Sequence, residues 1–138
     1  MMNQLIEFAT THWTLVAIFM VTALAVFWFE SKGNAAALSP AAATTLINNE
    51  DAVVIDIRPA TEFRTGHITN SINIPASTIK DQIDTLEKHK NTPIILVCKS
   101  GLTSGASASE LQKSGFKVFK LQGGITEWQS ASLPLVKK

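Results

Sequence analysis

Residues 13–29 read WTLVAIFMVTALAVFWF, a run with no charged side chain. A surface helix of a globular domain needs a polar face, and this run offers none. It therefore takes the first thirty residues out of any water-soluble core. As a helix it spans about 26 Å at 1.5 Å per residue, close to the hydrocarbon thickness of a bilayer. Its polar residues, Thr14 and Thr22, can bond back to helix carbonyls. Trp13 and Trp28 stand at the two ends as interfacial anchors do, and Glu7 and Glu30 bracket the run. The expectation is one transmembrane helix over about 13–29, within an N-terminal segment 1–30. Two rivals stay open. A buried core helix is disfavoured by the missing polar face. A cleaved signal peptide, with Ala35, Ala36 and Ala37 as its small-residue site, is disfavoured by the length of the run and by the absence of Lys or Arg ahead of it.

Lys32 is the basic residue that closely follows the run, so the positive-inside rule places the N-terminus outside and the remainder in the cytoplasm. The single cysteine, Cys98, points the same way. It has no internal disulfide partner, and a lone thiol survives best in a reducing compartment. In a bacterium the membrane would be the inner one. With 138 residues in all, the part of the chain after the run suits one compact domain. Residues 31–37, SKGNAAA, read as a short linker, and residues 38–138 as the domain. A net charge of +1, with no basic stripe, gives no argument for nucleic acid, and no Cys/His spacing suggests a metal.

Within the domain, Ser39 can cap a helix that Pro40 opens, running to Asn48. Asn49, Glu50 and Asp51 make a turn. AVVIDI at 52–57 is a β-branched run and reads as a buried strand. A short helical turn follows at 61–63, broken by Gly66, and a second short strand at 71–74 is stopped by Pro75. Residues 77–90 carry Ile79, Ile83 and Leu86 at helical spacing, which predicts an amphipathic helix. IILV at 94–97 is a strong buried strand. After a Gly- and Ser-rich loop at 98–104, residues 104–114 read as a helix ended by Gly115. Residues 116–121 form a further strand, Gly123 and Gly124 a turn, and 125–129 a last short helix. Strands alternating with helices predict an α/β domain with a largely parallel sheet.

The chemical signal is IILV-CKSGLTSG followed by a helix. A group just beyond the C-terminal end of a strand lies where open α/β sheets place ligands. Loop N–H groups turned inward, with the positive end of the next helix, suit an anion and stabilise a thiolate. Lys99 adds a positive charge, and Ser100, Thr103 and Ser104 add hydroxyls, around Gly101 and Leu102. From the loop alone, Cys98 reads equally well as a nucleophile or as a small inert hydrophobe at a strand end.

The loop resembles the active-site loop of the rhodanese family, in which Cys-x-x-Gly-x-x-Ser/Thr follows a buried strand. Asp56-Ile57-Arg58 with Glu62-Phe63 resembles the family's Asp-x-Arg-x-x-x-Glu-Phe/Tyr motif. Gly66-His67-Ile68 followed by Ser71-Ile72-Asn73-Ile74-Pro75 resembles its Gly-His-Ile…Ala-x-Asn-Ile-Pro motif. Gly123-Gly124-Ile125 with Trp128 resembles its closing Gly-Gly-x-x-x-Trp. The four stand in the family's order, and the match extends through residues 38–134. The resemblance implies a rhodanese-like parallel-sheet domain with helices on both faces. It also implies a sulfurtransferase in which Cys98 takes a sulfane sulfur from a donor such as thiosulfate or a persulfide, holds it as a persulfide and passes it to a thiophilic acceptor. The partners implied are a small sulfur-containing anion or a protein persulfide as donor, a thiol acceptor, and a lipid bilayer at the N-terminal helix. No metal or organic cofactor is called for.

On this reading Lys99, Ser100, Gly101, Leu102, Thr103 and Ser104 form the substrate-binding loop, its N–H groups holding an oxyanion. Asp56 and Arg58 are supporting candidates: Asp56 as an acceptor for loop donors, Arg58 paired with Glu62 or with nearby carbonyls. His67 marks a turn and Trp128 belongs to the core. Two departures matter. The loop lacks the Arg that some thiosulfate-active relatives carry, which turns attention to a persulfide donor. Related phosphatases have His before the Cys and Arg six residues after it, where this chain has Val97 and Ser104, so phosphatase chemistry is disfavoured. A non-catalytic, membrane-anchored binding or signalling module is the alternative function. A thiol sensor ranks last for want of a second cysteine.

Overall fold

The computed structural model describes residues 1–31 and 35–137, with no side-chain detail at 30 and 31. The chain divides into two units, residues 1–32 and 33–138.

In the first unit, helix α1 (Met2–Thr11) is followed by α2 (Trp13–Ser31). Sequence patterning does not announce α1. Among the described residues no single helix is long and apolar enough to cross a membrane; α1 and the 13–29 stretch reach that length only together, and they meet at 90°. α2 is nonetheless apolar all round, with Leu15, Ile18, Phe19, Val21, Leu24 and Phe27 exposed. Lys32, on which the expected orientation rests, lies outside the described residues.

The second unit is built on a five-stranded sheet in the order β1-β5-β4-β2-β3, every neighbouring pair parallel. Its strands are β1 (Ala36–Leu38), β2 (Val53–Asp56), β3 (Ile72–Asn73), β4 (Ile94–Val97) and β5 (Val118–Leu121). β1 corrects the linker: Ala36 and Ala37 pair with Phe119 and Lys120 at the sheet edge, so the domain begins before residue 38. The composition of the segment suggests flexibility, but small side chains also fit an edge strand whose partner supplies the hydrogen bonds.

The connecting helices are α3 (Pro40–Glu50), α4 (Ala60–Thr65), α5 (Ile83–Leu86), α6 (Ser104–Lys113) and α7 (Gly124–Ser130). Ser39 caps α3 as expected, its Oγ accepting from the Ala42 N–H at 3.2 Å, and Pro40 takes the first helical position. α3 runs through the expected turn to Glu50 and ends at Asp51, which adopts φ +53°. The amphipathic helix expected over 77–90 is mostly 3₁₀: Ala76–Gln82 and Glu87–His89 flank the single α turn of α5. The segment is rich in Ser, Thr and Asp, which compete for backbone bonds. Thr78 shows the effect, with both its N–H and its hydroxyl donating to the Pro75 carbonyl. The apolar positions keep their places, since Ile79 and Leu86 are buried.

The sheet separates two apolar layers. Ile94 and Leu96 of β4 face one layer with Ile79, Leu86, Ala108, Leu111 and Cys98, beneath the 3₁₀ segment and α6. Ile95 and Val97 face the other with Ala43, Ile68, Ile125 and Trp128, beneath α3 and α7. This period-2 division makes β4, buried over its whole length, the centre of the domain. Chain continuity then fixes the next residue, Cys98, at the carboxyl end of the sheet.

Candidate functional site

Cys98 follows β4 directly and is only 2 % exposed. The chain then turns over Ser100, Gly101 and Leu102 to enter α6 at Ser104. Gly101 adopts φ +86°, and its N–H donates to Cys98 Sγ at 2.8 Å. Burial is the largest single influence on the thiol and raises its pKa. The Thr103 hydroxyl and N–H, with the Gly101 and Ser100 N–H groups, outweigh it, so Cys98 stands below the ordinary thiol value. The positive end of α6 acts in the same sense. The expected loop of inward donors thus gathers around the sulfur.

The loop residues divide by role. Lys99 and Thr103 line the cleft that leads to Cys98. Ser100 and Gly101 act through the backbone. Leu102 is 87 % exposed at the loop tip and does not line the cleft. Ser104 is buried and donates to the Gly101 carbonyl at 3.2 Å, closing the loop on itself rather than facing a substrate.

Asp56 and Arg58 hold each other. Asp56 is fully buried, and Arg58 gives it Nε at 3.0 Å and Nη2 at 2.7 Å while its own N–H also donates to Oδ1. Arg58 Nη2 then reaches the Gly66 carbonyl at 2.7 Å. Asp56 is therefore taken by Arg58 rather than by the cysteine loop, and Arg58 pairs with Asp56 rather than with Glu62. Register explains this. Asp56 pairs with Val97 across the sheet and shares its face, whereas Cys98 is the next residue and belongs to the opposite layer. Asn73 donates to the Asp56 and Arg58 carbonyls, holding the end of β2 in place. His67 stacks on Phe63 and meets its carbonyl at 2.8 Å through Nδ1; the carbonyl can only accept, so that nitrogen carries the proton. Its backbone pairs with Val136. These are the contacts of a turn.

The Gly-Gly turn has a role beyond a turn. α7 starts beneath the cysteine loop, and its Ile125 N–H donates to the Cys98 carbonyl at 2.9 Å and Thr126 N–H to the Lys99 carbonyl at 3.1 Å. A Cβ on Gly124 would run into the Cys98 carbonyl, so only glycine lets the two backbones come this close. Trp128, buried in the second layer, donates from Nε1 to the Pro134 carbonyl.

The cleft over Cys98 has a volume of about 570 Å³, with Ile57, Arg58, Pro59, Ala60 and Glu62 on one side and Pro75, Ala76 and Ser77 on another. Sequence reasoning singled out none of Ile57, Glu62 or Ala76 as cleft-lining residues. Position just past β2 and β3, at the same end of the sheet as Cys98, was the available signal. Among the described residues no cluster of three or more His, Cys, Asp or Glu is placed to hold a metal ion.

Comparison with known proteins agrees with this architecture. The chain is 39 % identical over 141 residues to the uncharacterized protein YibN of Escherichia coli (strain K12), covering 99 % of each. It is 33 % identical over 96 residues to a tRNA uridine(34) hydroxylase of Enterobacter sp. (strain 638), covering 66 % of this chain and 28 % of that protein. The crystal structure of a rhodanese-related protein from Thermoplasma volcanium superposes with a TM-score of 0.68 at 28 % identity, covering 75 % of this chain and 99 % of the other. The rhodanese-like domain family matches residues 39–131, and with the strand–cysteine loop–helix site in place the chain belongs to that family.

Proposed function

We propose that this protein is a membrane-anchored sulfurtransferase that carries sulfane sulfur on Cys98. The observation that carries the reading is the cysteine loop. Cys98 Sγ sits at the end of the central strand, accepts from the Gly101 N–H at 2.8 Å, and has its pKa lowered by Thr103, Gly101 and Ser100 despite burial. A thiol so held ionises more readily than a free one, which suits it to act as a nucleophile. Its thiolate attacks the sulfane sulfur of thiosulfate or of a persulfide. Sulfite or a thiolate leaves with the electron pair of the broken S–S bond, and a persulfide remains on Cys98. The same N–H groups then stabilise the persulfide charge. A thiophilic acceptor takes the outer sulfur and restores the thiolate. Asp56 and Arg58 act as positioning residues, fixing the chain that forms one wall of the cleft.

The anchor is α2. Its all-round apolar surface and its Trp residues at both ends suit a bilayer, and α1 lies at 90° to it. The domain then faces the cytoplasm, where a thiol stays reduced.

Steady-state transfer to cyanide tests the enzyme. Full-length protein in detergent is expected to form thiocyanate with ping-pong kinetics, and Cys98→Ser to form none. Transfer that survives Cys98→Ser, or no transfer from any donor, refutes the reading and leaves an anchored binding module. For the anchor, resistance to extraction at alkaline pH is expected, with loss of the domain on protease treatment only when its side of the membrane is opened.

A further inference from the structure

The cleft itself carries information about the donor, given the sulfurtransferase reading of Cys98 on which the inference rests. Its volume of about 570 Å³ is large for an anion as small as thiosulfate and lies within the usual range of about 300–1,000 Å³ for whole organic ligands. Its walls are mainly apolar: Ile57, Pro59 and Ala60 from the chain after β2, Pro75 and Ala76 from the chain after β3. Its ionic groups balance. The Arg58 charge is matched by the buried Asp56 carboxylate at 2.7 Å. Lys99 shares the lining with Glu62. A dianion meets no surplus of positively charged side chains there and meets the Glu62 carboxylate in the lining, whereas a carbon chain meets apolar surface that is otherwise left to water.

We infer that the cleft takes a low-charge hydropersulfide with an apolar stem of several carbons, its outer sulfur at Cys98 and its stem against Ile57, Pro59 and Ala76. The Cys98 thiolate attacks the outer sulfur of R–S–S–H. A new S–S bond forms to Cys98 as the donor's own S–S bond breaks, and the inner sulfur leaves as RS⁻ with that electron pair. RS⁻ takes up the proton released by the new persulfide, giving RSH and Cys98–S–S⁻. No other oxidant or reductant enters.

The test uses full-length protein in detergent and straight-chain alkyl hydropersulfides from methyl to hexyl, with thiosulfate alongside. Loading of Cys98 is followed by intact mass in single turnovers. Each methylene that enters the cleft is expected to raise the second-order rate constant by up to about fourfold. Ala76→Asp and Ala60→Asp place a carboxylate on the wall. Both positions are exposed at the start of helical segments, where Asp is well tolerated. Both variants are expected to flatten the series. The same micelles dissolve the donors for every protein, so comparing slopes cancels partition into detergent. The inference is overturned if wild type and both variants share one slope, or if thiosulfate loads Cys98 as fast as the butyl donor. Loading by no donor at all overturns the sulfurtransferase reading as well, and so separates the two failures.

Discussion

Gly124→Ala asks whether the Gly-Gly turn is the support on which the cysteine loop rests. Gly124 has φ +58°, a left-handed conformation that costs an L side chain about 1–2 kcal/mol. The added Cβ would collide with the Cys98 carbonyl and stand 2.8 Å from the Lys99 carbon and oxygen. All of these are backbone atoms, so no side chain can swing aside. Moving them stretches the bonds from Ile125 N–H to Cys98 and from Thr126 N–H to Lys99. Each such bond contributes about 0.5–1.5 kcal/mol. The expected destabilisation is therefore about 2–5 kcal/mol, read from urea unfolding followed by Trp128 fluorescence above the background of the α2 tryptophans. The loop donors move with the chain, so alkylation of Cys98 by iodoacetamide is expected to need a higher pH than in wild type. Gly105→Ala is the control: its Cβ meets nothing within 4 Å and lies in α6, so stability is expected to hold or rise by about 0.5–1 kcal/mol. A Gly124→Ala protein within about 0.5 kcal/mol of wild type, a change typical of an uninvolved surface site, and with an unchanged alkylation profile would refute the reasoning.

Three further outcomes are expected of the site. Asp56→Ala leaves the buried Arg58 guanidinium without its carboxylate and is expected to cost about 3–5 kcal/mol in urea unfolding; a loss below about 1 kcal/mol, the worth of an exposed pair, contradicts the buried pair. Thr103→Val removes the strongest of the groups that lower the Cys98 pKa, so the pH dependence of alkylation is expected to move upward with the fold intact by circular dichroism. Cys98 also links stability to pH. Its folded pKa lies below the unfolded value, so between the two the native chain has released a proton that the unfolded chain still holds. Stability relative to Cys98→Ser is therefore expected to rise as pH climbs through the folded pKa, to be complete above the unfolded one, and to be lost as pH falls again; a flat difference across that window contradicts the assignment.

Much of the domain was legible because its signals are local. The short apolar run IILV at 94–97, rich in β-branched residues and preceded by Pro93, reads as a buried strand, and it carries Cys98 to the sheet end with it. Ser39-Pro40 wrote its own helix start. Where the outcome depended on partners, the sequence was silent or misleading. Ala36 and Ala37 become a strand only because β5 offers an open edge. The Ile79, Ile83 and Leu86 spacing predicted the inward face, with Ile79 and Leu86 buried and Ile83 partly so, but at i+3 and i+4 it does not separate an α-helix from a 3₁₀ segment that Ser, Thr and Asp tighten. Asp56 and Arg58 were legible as supporting residues, but with other partners: the cysteine loop for Asp56, and Glu62 or nearby carbonyls for Arg58. Who bonds whom depended on strand register, which puts Asp56 on the face opposite Cys98. The support given by Gly124 is a backbone-to-backbone contact between segments 26 positions apart in the sequence, and spacing alone does not reveal it.

The measurement closest to the central claim is the intact mass of the full-length protein after a sulfane donor is added and removed. Sulfur carriage by Cys98 predicts a gain of about 32 Da, the mass of one sulfur, located on Cys98, discharged by a thiol and absent from Cys98→Ser. A protein that stays at its original mass with thiosulfate and with every hydropersulfide, while iodoacetamide still reaches Cys98, would contradict it.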